Sequence, residues 1–130
     1  NVPYVKGVNN HMGSRLTTVS TQLYQIFSVL KKHECFFVDS RTTGASLCRP
    51  SARLLQVPFA ERDVFLDNTL TPAYIDHQLD LLVDVARRKG QAIGIGHAHA
   101  VTCRVLAKKI PDMSQSVEFV PVAQLVHVIR

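Results

Sequence analysis

Residues 63–97 read DVFLDNTLTPAYIDHQLDLLVDVARRKGQAIGIGH, and this stretch decides the fold. The apolar run Val64 to Leu66 ends on an acid and an amide, Asp67 and Asn68. Thr71 and Pro72 then mark a helix start, a capping side chain followed by a proline pre-shaped for the first turn. Ile75, Leu79, Leu82, Val83 and Ala86 recur at helical spacing and face inward. Gly90 stops the helix, and a second apolar run, Ala92 to Gly96, delivers His97. Apolar strand, polar end, amphipathic helix, apolar strand is a β/α/β unit, and its crossover makes the two strands parallel.

Working outward, the same order recurs on both sides. A strand from Tyr4 to Val8 precedes a helix from about Thr18 to Lys32, with Val19, Leu23, Ile26, Phe27 and Leu30 on one face. The run Cys35 to Val38 is a second strand that ends at Asp39, and a shorter helix spans Ala45 to Leu55. After Gly96 the pattern predicts a helix from Ala100 to Ile110, stopped by Pro111. A last strand follows over Val117 to Val120, and residues 121–129 form a final short helix or turn. Apolar runs without clean alternation belong to strands covered on both faces. The fold class is therefore α/β, built from parallel β/α units, and 130 residues are enough for one domain at most.

Composition narrows the function. The chain is 46% hydrophobic and 19% charged, ordinary for a packed globular protein and unlike a disordered one. No run approaches the roughly 20 apolar residues of a membrane span, and NVPYVKGVNN has no basic region followed by an apolar core, as a signal peptide would. The net charge of +5 raises the question of nucleic acid. However, the basic clusters Lys31–Lys32, Arg87–Arg88–Lys89 and Lys108–Lys109 each close an expected helix, where cations complement the helix dipole. No aromatic residue interleaves with them to stack bases, so no nucleic-acid partner is expected. The cysteines, Cys35, Cys48 and Cys103, are three, which argues against a disulfide framework. A Cys35–Cys48 bridge stays open, and buried, inert thiols are the reading favoured for all three.

The chemistry-bearing residues fall at the C-terminal ends of the strands. The first strand delivers Asn9, Asn10 and His11, with Ser14 close behind; the second Asp39, Ser40 and Arg41; the third Asp67 and Asn68; the fourth His97 and His99. In parallel α/β folds these ends share one rim, and ligands bind there. Imidazoles and carboxylates are the usual ligands of zinc and similar divalent metals, and the usual proton carriers near neutral pH. There is no GxSxG elbow, no phosphate-binding P-loop and no GxGxxG fingerprint. Each residue also has a plainer reading. The asparagines serve to fix the loop by side-chain-to-backbone bonds, Asp39 and Arg41 pair as ions, and Asp67 and His11 cap their loops.

Four motifs in this order, GVNNHMGS (7–14), FFVDSRT (36–42), DVFLDN (63–68) and AIGIGHAH (92–99), resemble the divergent polysaccharide deacetylase family, distant relatives of the NodB-type carbohydrate esterases. One departure is Ala98, where family members carry proline. The resemblance implies part of a distorted (β/α) barrel of the glycoside hydrolase and deacetylase type. This chain would match its C-terminal portion, without the N-terminal strands that carry an Asp-Asp motif. A missing N-terminal segment or a partner chain would then complete the barrel. The implied reaction is metal-dependent hydrolysis of N- or O-acetyl groups on a polysaccharide or peptidoglycan-like glycan, with a divalent metal, zinc by preference, in the periplasm or cell envelope. His97 matches the proton donor and His11 a metal ligand. Asn9, Asn10, Ser14, Asp39, Arg41, Asp67, Asn68 and His99 match residues that touch substrate or support the site. The fragment alone would be inactive, because its base carboxylate lies in the missing part. The alternative is a non-catalytic envelope module that keeps the fold to bind carbohydrate or protein.

Overall fold

A computed structural model describes residues 2–130. The chain divides into two compact units, residues up to Glu61 with Pro121–Arg130, and Arg62–Val120.

In the first unit, β1 (Gly7–Asn9), β2 (Phe36–Asp39) and β3 (Phe59–Glu61) form a parallel sheet in that order. Gly7 stands opposite Phe36, and Asp39 opposite Glu61. Helix α1 (Ser20–Lys32) connects β1 to β2, and α2 (Cys48–Leu55) connects β2 to β3. The core follows from the periodicity: Leu23, Phe27 and Leu30 of α1 meet Cys48 and Ala52 of α2 over Phe37 and Phe59. The Phe27 and Phe37 rings lie 4.9 Å apart, and Phe37 stacks with Phe59 at 6.4 Å, within the range of favourable aromatic pairs. The tail returns to this unit, where His127 exchanges backbone bonds of 2.9 and 3.1 Å with Phe59 in an antiparallel bridge.

In the second unit, β4 (Val64–Phe65) and β5 (Gly94–Ile95) pair in parallel, Val64 opposite Gly94 and Phe65 opposite Ile95. Helix α3 (Pro72–Lys89) joins them, and α4 (Ala100–Met113) follows β5. The Thr71 side chain accepts the Tyr74 N–H, as an N-cap should, and Gly90 closes α3 with φ of 84°, a conformation that favours glycine. Val64, Leu66, Ile75, Leu79 and Met113 form the core.

Several boundaries differ from the sequence reading. Tyr4 does not begin a strand; it lies in a turn at φ 60°. The strand β3 was not foreseen, because three residues ending in glutamate carry no periodic signal. Val117 to Val120 forms no strand, whereas the short helix or turn expected over residues 121–129 is present as a 3-10 turn at Val122–Gln124, followed by the bridge at His127. Helix α4 runs through Pro111 to Met113. As a result Lys108 and Lys109 do not close it: Lys109 instead pairs with Asp76 and Asp80 of α3 at 3.0 Å each. The other two basic clusters occupy last turns as expected. Among the described residues, no helix is long and apolar enough to cross a membrane.

Phe27→Ala is expected to cost about 3–5 kcal/mol, as large-to-small core changes do, read as a lower urea midpoint at unchanged slope. Tyr24→Ala, on the exposed face of the same helix, should change stability by no more than about 0.5 kcal/mol. Equal losses in the two variants would overturn this account of the core.

Candidate functional site

The polar residues at the strand ends form one set in each unit. In the first, side chains stitch the ends of β1 and β2 together. Asn9 Nδ2 donates to the Val38 carbonyl and to Ser40 Oγ, both at 2.8 Å. Asn10 Oδ1 accepts the Ser40 N–H at 2.8 Å, and Ser40 Oγ donates to the Asn10 carbonyl at 2.6 Å. Asn10 Nδ2 also donates to the Met12 carbonyl at 3.0 Å, where the chain takes a left-handed turn. Ser14 Oγ reaches Thr42 Oγ1 at 3.1 Å. The asparagines and Ser14 thus hold the loops together. His11 is exposed on the loop they shape.

Asp39 is buried at the end of β2. One oxygen accepts the Arg41 N–H at 2.8 Å and the other the Ser46 hydroxyl at 2.6 Å, so the carboxylate shapes its own loop. It makes its bond to Arg41 through the backbone, and the Arg41 guanidinium turns to Glu61 at 3.4 Å. Glu61 was not singled out from the sequence because β3 was not. It accepts Arg49 through both oxygens, at 3.1 and 3.0 Å. Burial would raise the Glu61 carboxyl, but the Arg49 hydrogen bonds and charge, aided by Arg41, bring its pKa below the usual value. The Cys48 thiol is pushed up to about 11, chiefly by burial, so it is inert as a nucleophile. Cys35 is likewise buried, whereas Cys103 is exposed on α4, against the expectation that all three are enclosed; all three are free thiols.

In the second unit the ends of β4 and β5 deliver Asp67 and His97 side by side. The Asp67 side chain has no exposed surface, while that of His97 is 42% exposed. Asp67 Oδ2 accepts the His97 backbone N–H at 2.6 Å and the Thr102 hydroxyl at 3.0 Å. Its Oδ1 lies 3.0 Å from His97 Nδ1. An ionised carboxylate only accepts, so Nδ1 carries the proton and Nε2 is the unprotonated ring nitrogen in the neutral imidazole. Desolvation would raise the Asp67 carboxyl, but the His97 backbone and ring and the Thr102 hydroxyl outweigh it and hold the pKa below the usual value. Gly96 makes the approach feasible, since a Cβ there would come within 3.3 Å of Asp67 Oδ2 and of Leu66 Cβ. His99, the N-cap residue of α4, brings its ring to 5.6 Å from that of His97, and the Phe65 ring lies 5.7 Å from the His97 ring. Asn68 is exposed beside Asp67.

Metal-ligand atoms of Asp67, His97 and His99 lie within 4.8 Å of one another, and among the described residues no other group of three such side chains does. The donor chemistry suits a divalent metal, with one qualification about roles. Asp67 is enclosed and its oxygens are already engaged, which fits a carboxylate that orients a histidine better than one that binds an ion itself. The imidazoles of His97 and His99 are the accessible donors. Thr102, the remaining member of the cluster, was not singled out from the sequence. A threonine in the first turns of a helix is common, and only the register of α4 against β4 gives this one a carboxylate partner.

The model of a family described as divergent polysaccharide deacetylase matches residues 1–126. The chain is 35% identical over 127 residues to the uncharacterized protein YibQ of Escherichia coli K12, covering 98% of this chain and 40% of that protein. It is 32% identical over 119 residues to an uncharacterized protein of Haemophilus influenzae, 92% of this chain and 42% of that one. The crystal structure of uncharacterized protein ATU2773 from Agrobacterium tumefaciens C58 superposes with a TM-score of 0.89 at 31% identity, over 93% of this chain and half (50%) of that chain. The chain thus spans less than half the length of the curated relatives it matches.

Asp67→Asn keeps the shape but replaces an acceptor by a donor that faces donors. It should lower the unfolding free energy by about 1–3 kcal/mol near neutral pH. The carboxyl titrates below its ordinary 3.8 when folded, so its stabilisation is complete above that value and is lost as pH falls through the folded-state pKa. The difference between wild type and variant in urea unfolding should therefore shrink between about pH 7 and about pH 2.5. A difference of the same size at both would show that the ionised carboxylate is not what the cluster requires.

Proposed function

We propose that this chain, which belongs to the divergent polysaccharide deacetylase family, carries the proton-donating part of a metal-assisted deacetylase acting on an acetylated glycan of the cell envelope. The observation that carries the reading is the buried Asp67 carboxylate on His97 Nδ1, with the other ring nitrogen on an exposed imidazole. The parallel β/α units are in keeping with part of a distorted (β/α) barrel, of which the relatives' greater length would supply the remainder.

In this reading His97, in its protonated form, gives the Nε2 proton to the leaving nitrogen or oxygen as the acetyl group departs. Asp67 holds the ring in place and stabilises the positive charge that the ring carries before the transfer. A divalent metal, zinc by preference, would polarise the acetyl carbonyl and make water a stronger nucleophile. A ligand role for His99 is supported by its place beside His97; a ligand role for His11 is supported by the NNHMGS motif alone. Asn9, Asn10, Ser14, Asp39 and Arg41 support the β1 and β2 loops, and Asn68 is an exposed candidate for sugar contact. The carboxylate that takes the proton from water is assigned to the part of the family domain outside these 130 residues.

Acetate release from an acetylated glycan, measured on the protein at its natural length, should fall by about 10²-fold or more in His97→Ala, the usual worth of a positioned acid. Zinc content measured in parallel on His99→Ala and His11→Ala separates the two ligand assignments, because only a true ligand lowers it. Unchanged acetate release in His97→Ala would remove the proton-donor assignment. Glycan binding without any acetate release, in wild type as in variant, would favour a carbohydrate-binding module.

A further inference from the structure

The ring of His97 is held by Asp67, but Asp67 is itself held from a third element. Thr102 lies in α4 and is 1% exposed. Helical threonines commonly return their hydroxyl to a backbone carbonyl of the preceding turn. This one donates to a carboxylate 35 positions away, at 3.0 Å. At so buried a position valine would fill the same volume without a hydroxyl to desolvate, so the hydroxyl is placed for its bond. Asp67 Oδ2 takes both the Thr102 hydroxyl and the His97 N–H, which fixes the carboxylate about its own bonds. Oδ1 is then left in one orientation, facing His97 Nδ1.

We propose that Thr102 is a positioning residue for His97. Its buried hydroxyl locks the Asp67 carboxylate in the rotation that keeps His97 Nδ1 protonated and Nε2 unprotonated in the neutral ring. Without it, Oδ2 keeps a single donor and the carboxylate gains freedom to rotate away from the ring. His97 then samples its other tautomer, and the protonation of Nε2 ceases to be uniform. The effect on acetate release rests on the reading of His97 as proton donor; the effect on the ring does not.

The test is the tautomer of His97, read from the ring ¹⁵N resonances of the metal-free chain near pH 8, with Thr102→Val and Thr102→Ser. In wild type the two ring nitrogens should give the widely separated shifts of a single Nδ1–H form. In Thr102→Val they should move toward each other, the signature of a tautomer mixture, and Thr102→Ser, which keeps the hydroxyl, should restore the wild-type pattern. Where valine prevents folding, Thr102→Ala serves in its place with the same expectation. A wild-type pattern in the hydroxyl-free variant overturns the proposal, and so does an equal shift in Thr102→Ser, which would trace the change to packing. At natural length, kcat for acetate release should fall about 10- to 100-fold in the hydroxyl-free variant, as losses of such supporting bonds do, with KM unchanged. Altered ring shifts in a protein whose wild type releases no acetate would sink the deacetylase reading and leave the positioning role standing. Unaltered shifts in a protein that does release acetate would do the reverse.

Discussion

The shortness of the strands is the constraint on which the rest of this structure depends. β1 and β3 have three residues each and β4 and β5 only two. Ladders of that length hold few main-chain bonds, and an isolated pair of strands is marginal in water. The strand ends are therefore tied by side chains. Asn9, Asn10 and Ser40 cross between β1 and β2, and Asp67, just past β4, binds His97, just past β5. Because parallel strands present their C-terminal ends together, the residues that tie the sheet also lie at the strand ends where ligands bind in such folds. Structural and chemical duty thus fall on the same side chains, and a loss of activity on substituting them means little without a stability measurement beside it.

Two carboxylates make the distinction concrete. Asp39 ends its strand and Asp67 lies two residues past its own, both are buried, and both have each oxygen engaged. Asp39 spends its bonds on Arg41 and Ser46, within the loop that it begins. Asp67 spends one on an imidazole that reaches solvent. Only the second places its negative charge on a group that solvent reaches, and in the proposed reading that separates a carboxylate that shapes a loop from one that readies a side chain for chemistry.

Much of this was legible in the residues. The parallel β/α order, the cap and stop of α3, and the strand-end placement of Asn9, Asn10, Asp39, Asp67 and His97 followed from periodicity and breaker residues. The asparagines' loop-fixing role also follows from their chemistry, since short amides compete well for backbone partners. What escaped was of two kinds. Elements too short for a period, such as β3, leave no pattern, and Glu61 disappears with its strand. Partnerships across the fold, such as Arg41 with Glu61 or Thr102 with Asp67, depend on register between elements, which one sequence does not encode locally.

The cluster around His97 is also distinguished by how little chain builds it. Gly96, His97, His99 and Thr102 lie within seven consecutive residues, on the connection that follows β5 and in the first turn of α4. Gly96 is confined by Asp67 and Leu66, the His97 N–H is bonded at 2.6 Å, and His99 is already the N-cap of the helix. A side chain set by so short a link between a strand and a helix has little backbone freedom to lose when a ligand arrives. His11 sits instead on a loop that must turn through left-handed backbone at Met12 and Gly13 before the chain reaches α1. Pre-organisation favours the first location for a group whose proton must be aimed. The second suits a group that settles onto a ligand once other contacts are made.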